Sequence, residues 1–202
     1  MNSFDRQRAI QHAIPVHSPE TARLLSLCMG VICPRLSIEV GTAIGLWTLH
    51  LASEAEQRDG LVYSFEVSAP TYQVATRHCT PYTNSFLYRC KVDQLSLERL
   101  WSLLPWLVQF AFVDGEKWSY DQYFQLLTGA VDTELSCIVF DDVLRYKHKT
   151  APLFDALTFA WRHWTIYATE HDDWCCIASP QQHTVAQCQT VLQEAWFLQD
   201  TR

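Results

Sequence analysis

Ile38-Glu39-Val40-Gly41-Thr42-Ala43-Ile44-Gly45-Leu46-Trp47 decides how the rest of the chain is read. A short apolar run carries a carboxylate and meets two glycines spaced four apart. Leu46, Leu49 and Ala52 then recur at helical spacing. The pattern predicts a buried strand, a tight turn and a helix start. Such a turn leaves backbone N–H groups free at a helix N-terminus. Gly41 and Gly45 carry no Cβ, so a bulky ligand can lie against the backbone there. The chain has six glycines in all, and two of them fall in this turn. The stretch reads as the floor of a nucleotide-like cofactor site.

Outward from it, strands and helices alternate. Ser18-Pro19-Glu20 reads as N-cap, first-turn proline and first-turn acid of a helix ending before Pro34. Strands are expected at Leu36–Val40, Leu61–Phe65, Phe86–Cys90, Phe110–Val113, Cys137–Phe140, Thr165–Ala168 and Trp174–Ala178. Helices are expected from the glycine turn to about Glu56, from Ser68 to near Pro81, and over Leu95–Leu104, Tyr120–Leu127 and Ala151–Trp164. A last one follows Ser179-Pro180, with Val185, Cys188, Leu192 and Trp196 on one face. Residues 1–17 are a lead-in. This is an α/β sandwich with a mostly parallel sheet, and the two closely linked last strands imply one antiparallel strand. The whole chain is expected to be one domain, with a core over 18–178 and a terminal helix over 179–202.

Ligands of such sheets sit beyond the carboxyl ends of the strands. Glu66 ends strand two, where a carboxylate can accept hydrogen bonds from ribose hydroxyls. Asp114 ends strand four, and Asp141 and Asp142 end strand five. Three crowded carboxylates repel one another, and a hard divalent cation would relieve that; three solvated loop acids are the alternative. Lys117 follows Asp114 by three residues. Its ammonium pKa is expected to fall beside a metal and a cationic cofactor, making it a candidate general base.

These stretches resemble a class I S-adenosylmethionine-dependent methyltransferase, most closely the cation-dependent O-methyltransferases of the catechol and caffeoyl-CoA type. Glu39-Val40-Gly41 through Gly45 is similar to that family's E-x-G-x-x-x-G motif. Tyr63-Ser64-Phe65-Glu66 is similar to its ribose-binding strand, Asp114 through Lys117 and Tyr120 to its D-x-x-K…Y motif, and Asp141-Asp142-Val143-Leu144 to its D-N-x-L motif. Asp142 stands where the family usually has Asn. The resemblance implies a Rossmann-like, seven-stranded methyltransferase sandwich. Gly41 and Gly45 would line the methionine and ribose part of S-adenosyl-L-methionine, with Thr42 in the same turn. Glu39 would organise that turn or the cofactor's amino-acid end. Glu66 would hold the ribose, Asp93 would lie by the adenine, and Asp114 would face both cofactor and metal. Asp114, Asp141 and Asp142 would bind Mg²⁺ or a similar ion, and Lys117 would deprotonate a small-molecule hydroxyl. A metal-independent methyltransferase, or a non-catalytic binding protein on this scaffold, is the alternative.

Bulk properties narrow the partners. The chain has 202 residues, 49% of them hydrophobic and 18% charged, with a formal net charge of −7. That composition is globular, and the charge argues against a nucleic-acid partner. No apolar run is long enough to span a membrane. Met1-Asn2-Ser3-Phe4-Asp5-Arg6 lacks the apolar core of a signal peptide. The eight cysteines show no disulfide or zinc spacing and read as small buried hydrophobes, which fits a cytoplasmic setting. Trp118, Tyr120 and Tyr146 flank the strand-end motifs and are candidates for an aromatic, catechol-like substrate pocket or for core. Trp161 and Trp164, three apart, are read as neighbours on one helix. The terminal helix's apolar stripe docks internally or across a homodimer.

Overall fold

A computed structural model describes residues 18–103, 108–129, 137–161, 163–168 and 174–197. The lead-in, residues 130–136 and the last residues of the chain lie outside that set.

Helix α1 spans Pro19–Ile32. Ser18 caps it, accepting from the Thr21 amide at 3.1 Å, and Cys33 ends it in the left-handed conformation just before Pro34. Strand β1 is Leu36–Val40, α2 is Leu46–Glu56 and β2 is Leu61–Phe65. Helix α3 is Ala69–Cys79, β3 is Ser85–Tyr88 and α4 is Gln94–Leu103. Strand β4 is Phe110–Val113, followed by a 3₁₀ turn at Lys117–Ser119 and α5 at Tyr120–Gly129. Strand β5 is Cys137–Phe140, α6 is Lys147–Ala160, β6 is His163–Ala168, β7 is Trp174–Ser179 and α7 is Gln182–Phe197.

The seven strands form one sheet in the order β3-β2-β1-β4-β5-β7-β6. Only β7 runs antiparallel to its neighbours. Strands β1, β4 and β5 are buried along their whole length, as interior parallel strands covered on both faces must be. On one face Leu36, Ile38, Val40, Ala111, Val113 and Ile138 pack under α4, α5 and α6. On the other, Val62, Phe110, Phe112 and Val139 pack under α1, α2 and α7. Cys188 and Leu192 of α7 are buried there, so its apolar stripe docks internally, as does the chain's thiol content: six of the eight cysteines are buried and all are free.

Three expected boundaries move. Strand β3 stops at Tyr88 rather than Cys90, because it is an edge strand and its sole partner, β2, ends at Phe65 opposite Tyr88. The helix expected over Ala151–Trp164 starts a turn earlier, where the Thr150 hydroxyl bonds to Val143 O at 2.5 Å, and carries Pro152 inside it. It also ends at Ala160, and His163-Trp164 begins β6 instead. Six paired positions with β7 outweigh the helical spacing of the two tryptophans. Trp161 and Trp164 are therefore not helix neighbours: Trp161 meets Phe124 edge-on at 5.1 Å and Trp164 packs on Phe154 at 5.3 Å.

Strand order reverses between β1 and β4, and a crevice opens at their carboxyl ends. Gly41 and Asp114 meet there.

Candidate functional site

The β1–α2 turn is held by its own chain. Gly41, Ala43 and Gly45 all have positive φ, at 98°, 48° and 85°. A Cβ on Gly41 would lie 2.6 Å from Asp114 O, and one on Gly45 would lie 3.0 Å from Cys79 Sγ and 3.2 Å from Ala75 Cα. The two glycines are thus required by the approach of β4's end and of α3. Four of the turn's amides are committed within the fold. Gly41 and Thr42 N–H donate to Phe65 O at 3.0 and 3.1 Å, and Gly45 N–H donates to Thr42 O at 2.8 Å. Ala43 N–H donates to Glu66 Oε2 at 2.7 Å.

Glu66 is locked from both ends, since its Oε1 accepts from Ser68 N–H at 2.7 Å. Each carboxylate oxygen has more than one acceptor site, so both remain able to take a hydroxyl donor. Its carboxylate forms part of a cavity of about 350 Å³ with Gly41, Ala43, Val67, Val92 and Asp114. A neighbouring cavity of about 410 Å³ shares Phe65 and Cys90 with it and is bordered by Tyr88, Leu95 and Arg99. Asp93 borders this second space, and its carboxylate caps α4: Ser96 N–H donates to Oδ1 at 2.8 Å, and Asp93 N–H donates to Ser96 Oγ at 2.9 Å.

Glu39 lies behind the turn and is fully buried. Its Oε2 accepts from Thr48 Oγ1 at 2.5 Å and from Ser64, whose hydroxyl also bonds to Thr42. This ties β1, β2, the turn and the first residues of α2 together. Its Oε1 has no hydrogen-bond partner. Burial pushes the carboxyl up to about 7, against the pull of the two hydroxyls. Gly41, Glu66 and Asp114 line the cavity, whereas Glu39, Thr42 and Gly45 are not part of its lining.

Across the crevice, carboxylate oxygens of Asp114, Asp141 and Asp142 all lie within 4.8 Å of one another. Among the described residues this is the one group of three or more His, Cys, Asp or Glu side chains so disposed. Asp142 adopts a left-handed backbone, φ 56°, which turns the chain at the end of β5. Asp141 is pushed up to about 7, first by burial and then by the Asp114 charge. Cys175 Sγ donates to its Oδ1 at 3.1 Å.

Lys117 enters this group directly. Nζ donates to Asp114 Oδ1 at 2.6 Å and to Tyr120 OH at 2.7 Å, and lies 3.7 Å from Asp142 Oδ2. With neither metal nor cofactor beside it, its pKa is raised: burial lowers it, but the charges of Asp114, Asp141 and Asp142 outweigh burial. The ammonium is the cation nearest the carboxylates, with Arg145 3.9 Å from Asp142. Tyr120 is not a pocket wall. It is fully buried, and its hydroxyl is aimed at Val113 O (3.0 Å) and Asp141 O (2.9 Å), bridging the ends of β4 and β5. Trp118, by contrast, is 57% exposed.

Several contributors had no sequence signal. Ser64, Thr48 and Cys175 are ordinary core-strand or helix residues until the fold sets them against Glu39 and Asp141. Val67 and Val92 are unremarkable until they border the cavity.

No protein-family model matches the chain, and no curated protein matches it in sequence. Solved structures do. An O-methyltransferase from Bacillus cereus, solved in complex with SAH, superposes with a TM-score of 0.70 at 16% identity, covering 89% of this chain and 92% of that one. The O-methyltransferase TomG from Streptomyces achromogenes, involved in tomaymycin synthesis and solved with SAM, gives 0.71 at 15% identity over 89% of each chain. This chain has the class I methyltransferase fold. The carboxylate group, Lys117 and the Glu66 cavity occupy the strand-end rim of that fold. Among the described residues no helix is long and apolar enough to cross a membrane.

Proposed function

We propose that this protein is an S-adenosylmethionine-dependent methyltransferase that methylates a hydroxyl of a small molecule, with a divalent cation at Asp114, Asp141 and Asp142. The observation that carries the reading is the convergence on Asp114. One side of this residue borders the Glu66 cavity, and its carboxylate belongs to the three-acid group. A cofactor held on Glu66 and a substrate oxygen held at the acids would therefore be neighbours. That is the proximity a methyl transfer needs.

The residues present fit both groups. Glu66 is fixed and retains acceptor capacity for ribose hydroxyls, and Glu39 Oε1, behind the turn, is a buried acceptor without a partner. The three carboxylates are the all-oxygen donor set that Mg²⁺ and similar hard ions take. When bound, S-adenosylmethionine supplies the methyl group, and the ion acidifies and orients a hydroxyl. Lys117 would take up the proton of the acceptor hydroxyl as its oxygen is methylated. With no further cation among the three acids, their charges hold Lys117 protonated. A second cation among them would free the amine for this role, and that links metal and base.

A second reading has its own observation. Lys117 already sits 2.6 Å from Asp114, so the ammonium itself could hold the substrate oxygen in a metal-independent methyltransferase. Melting curves with S-adenosylhomocysteine, with and without Mg²⁺, separate these readings. A shift with the nucleoside that Mg²⁺ enlarges supports the first. A shift indifferent to Mg²⁺ and EDTA supports the second. No shift under either condition refutes both.

A further inference from the structure

Beside the acids the surface changes character. Arg145-Tyr146-Lys147-His148-Lys149 places three cations and a histidine in five residues of a chain whose net charge is −7. The Tyr146 ring is shared by three of the site's cations: Lys117 Nζ lies 5.9 Å from its centroid, Lys149 Nζ 5.2 Å and the Arg145 guanidinium 5.8 Å. Lys117 and Arg145 are balanced by carboxylates, Arg145 reaching Asp142 at 3.9 Å.

Lys149 is different. It is half-buried, and its ammonium is also 5.6 Å from the Trp118 ring, so two aromatic faces hold it. Among the described residues no carboxylate pairs with it. Its place in the first turn of α6 adds to the oddity, since the helix dipole disfavours a cation there and no acid stands in that turn. Ring faces attract a cation only weakly at a partly exposed site. They do not replace a counter-ion. Trp118, 57% exposed and edge-on to His148 at 5.6 Å, leaves an aromatic surface open beside that ammonium.

We propose that Lys149, Trp118 and Tyr146 form the acceptor's recognition site, and that the acceptor is a hydroxylated aromatic carboxylic acid. This rests on the methyl-transfer reading above. The hydroxyl would lie at Lys117 and the acid group, the ring would stack on Trp118, and the carboxylate would pair with Lys149. A monoanion is the match for one half-buried, unpaired ammonium.

The test is calorimetric binding of 3,4-dihydroxybenzoate and of its methyl ester to the full chain in the presence of S-adenosylhomocysteine and Mg²⁺. The acid is expected to bind about tenfold more tightly than the neutral ester, a difference typical of one charge-assisted pair. Lys149→Met should bring the two level by weakening the acid alone, and Lys149→Arg should keep the preference. Equal binding in the wild-type protein, binding of neither compound, or a preference that survives Lys149→Met overturns the proposal. Because the readout is binding, its failure is separable from that of the activity. An intact acid preference without methyl transfer supports this site while refuting the methyltransferase reading.

Discussion

Around Gly41 the binding surface is built from backbone, whereas around Asp114, Asp141 and Asp142 it is built from charge. On the first side three residues at positive φ, four committed amides and a doubly bonded Glu66 fix the shape of the cavity with no ligand required. On the second side three acids crowd together with the Lys117 ammonium among them. The first region is preorganised. The second is in electrostatic balance, and anything that adds or removes a charge resets it. Asp114 belongs to both, and a cofactor and a cation can therefore influence each other through one residue.

Four experiments probe that contrast. The largest effect should come from Lys117→Met, which removes the proton acceptor and the ammonium together. The rate of methyl transfer should fall about 10²–10⁴-fold, the usual range for a general base. In the same variant the Mg²⁺-induced melting shift should grow, since the ion no longer competes with the ammonium. A shift that shrinks would contradict the balance described. Next is Gly41→Ala, whose new methyl would press on Asp114 O at φ 98°. A loss of about 3 kcal/mol is expected, read as a melting temperature lower by roughly 6–12 °C. Little or no loss would mean that the turn is softer than its geometry implies. Glu66→Gln keeps the shape but replaces one acceptor oxygen with a donor. Titration should show S-adenosylhomocysteine bound about tenfold more weakly, with the Mg²⁺ response unchanged.

The smallest effect concerns pH. Glu39 and Asp141 both have carboxyls raised to about 7 in the folded chain, against about 4 when unfolded. Between those values the folded state holds more protons. The stabilisation is complete below about pH 4 and is lost as pH rises through about 7. The ligand-free protein should melt at a higher temperature at pH 5.5 than at pH 8. Glu39→Gln, which keeps a side chain able to accept from Thr48 and Ser64, should flatten part of that slope by a few degrees. An unchanged slope would remove Glu39 from the account.

The same contrast explains what could be read without coordinates. Strand ends and the glycine turn were legible because glycine spacing and helical periodicity are local properties of the chain. Gly41, Glu66 and Asp114 do border one cavity, and the three acids do converge. What was not legible depended on contacts between distant segments. The amides of Gly41 and Thr42 are taken by Phe65, twenty-odd residues away. The charges that raise the Lys117 pKa come from the ends of β4 and β5, which meet only in the fold. Asp93 proved to cap α4 beside the second cavity, a local hydrogen-bond pattern that Asp93-Gln94-Leu95-Ser96 does carry. Trp164 went to a strand because β7 was there to pair with it.

Asp142 completes the picture through its backbone. In the left-handed region a side chain larger than glycine's is tolerated best when it is Asp or Asn, so the bend at the end of β5 restricts the position to a short list without specifying its charge. An amide and a carboxylate are nearly the same size and shape. Exchanging one for the other would alter the charge of the acid group by a full unit while leaving the main chain undisturbed. The scaffold therefore contains a place where ion preference can be retuned by one substitution without changing the course of the backbone.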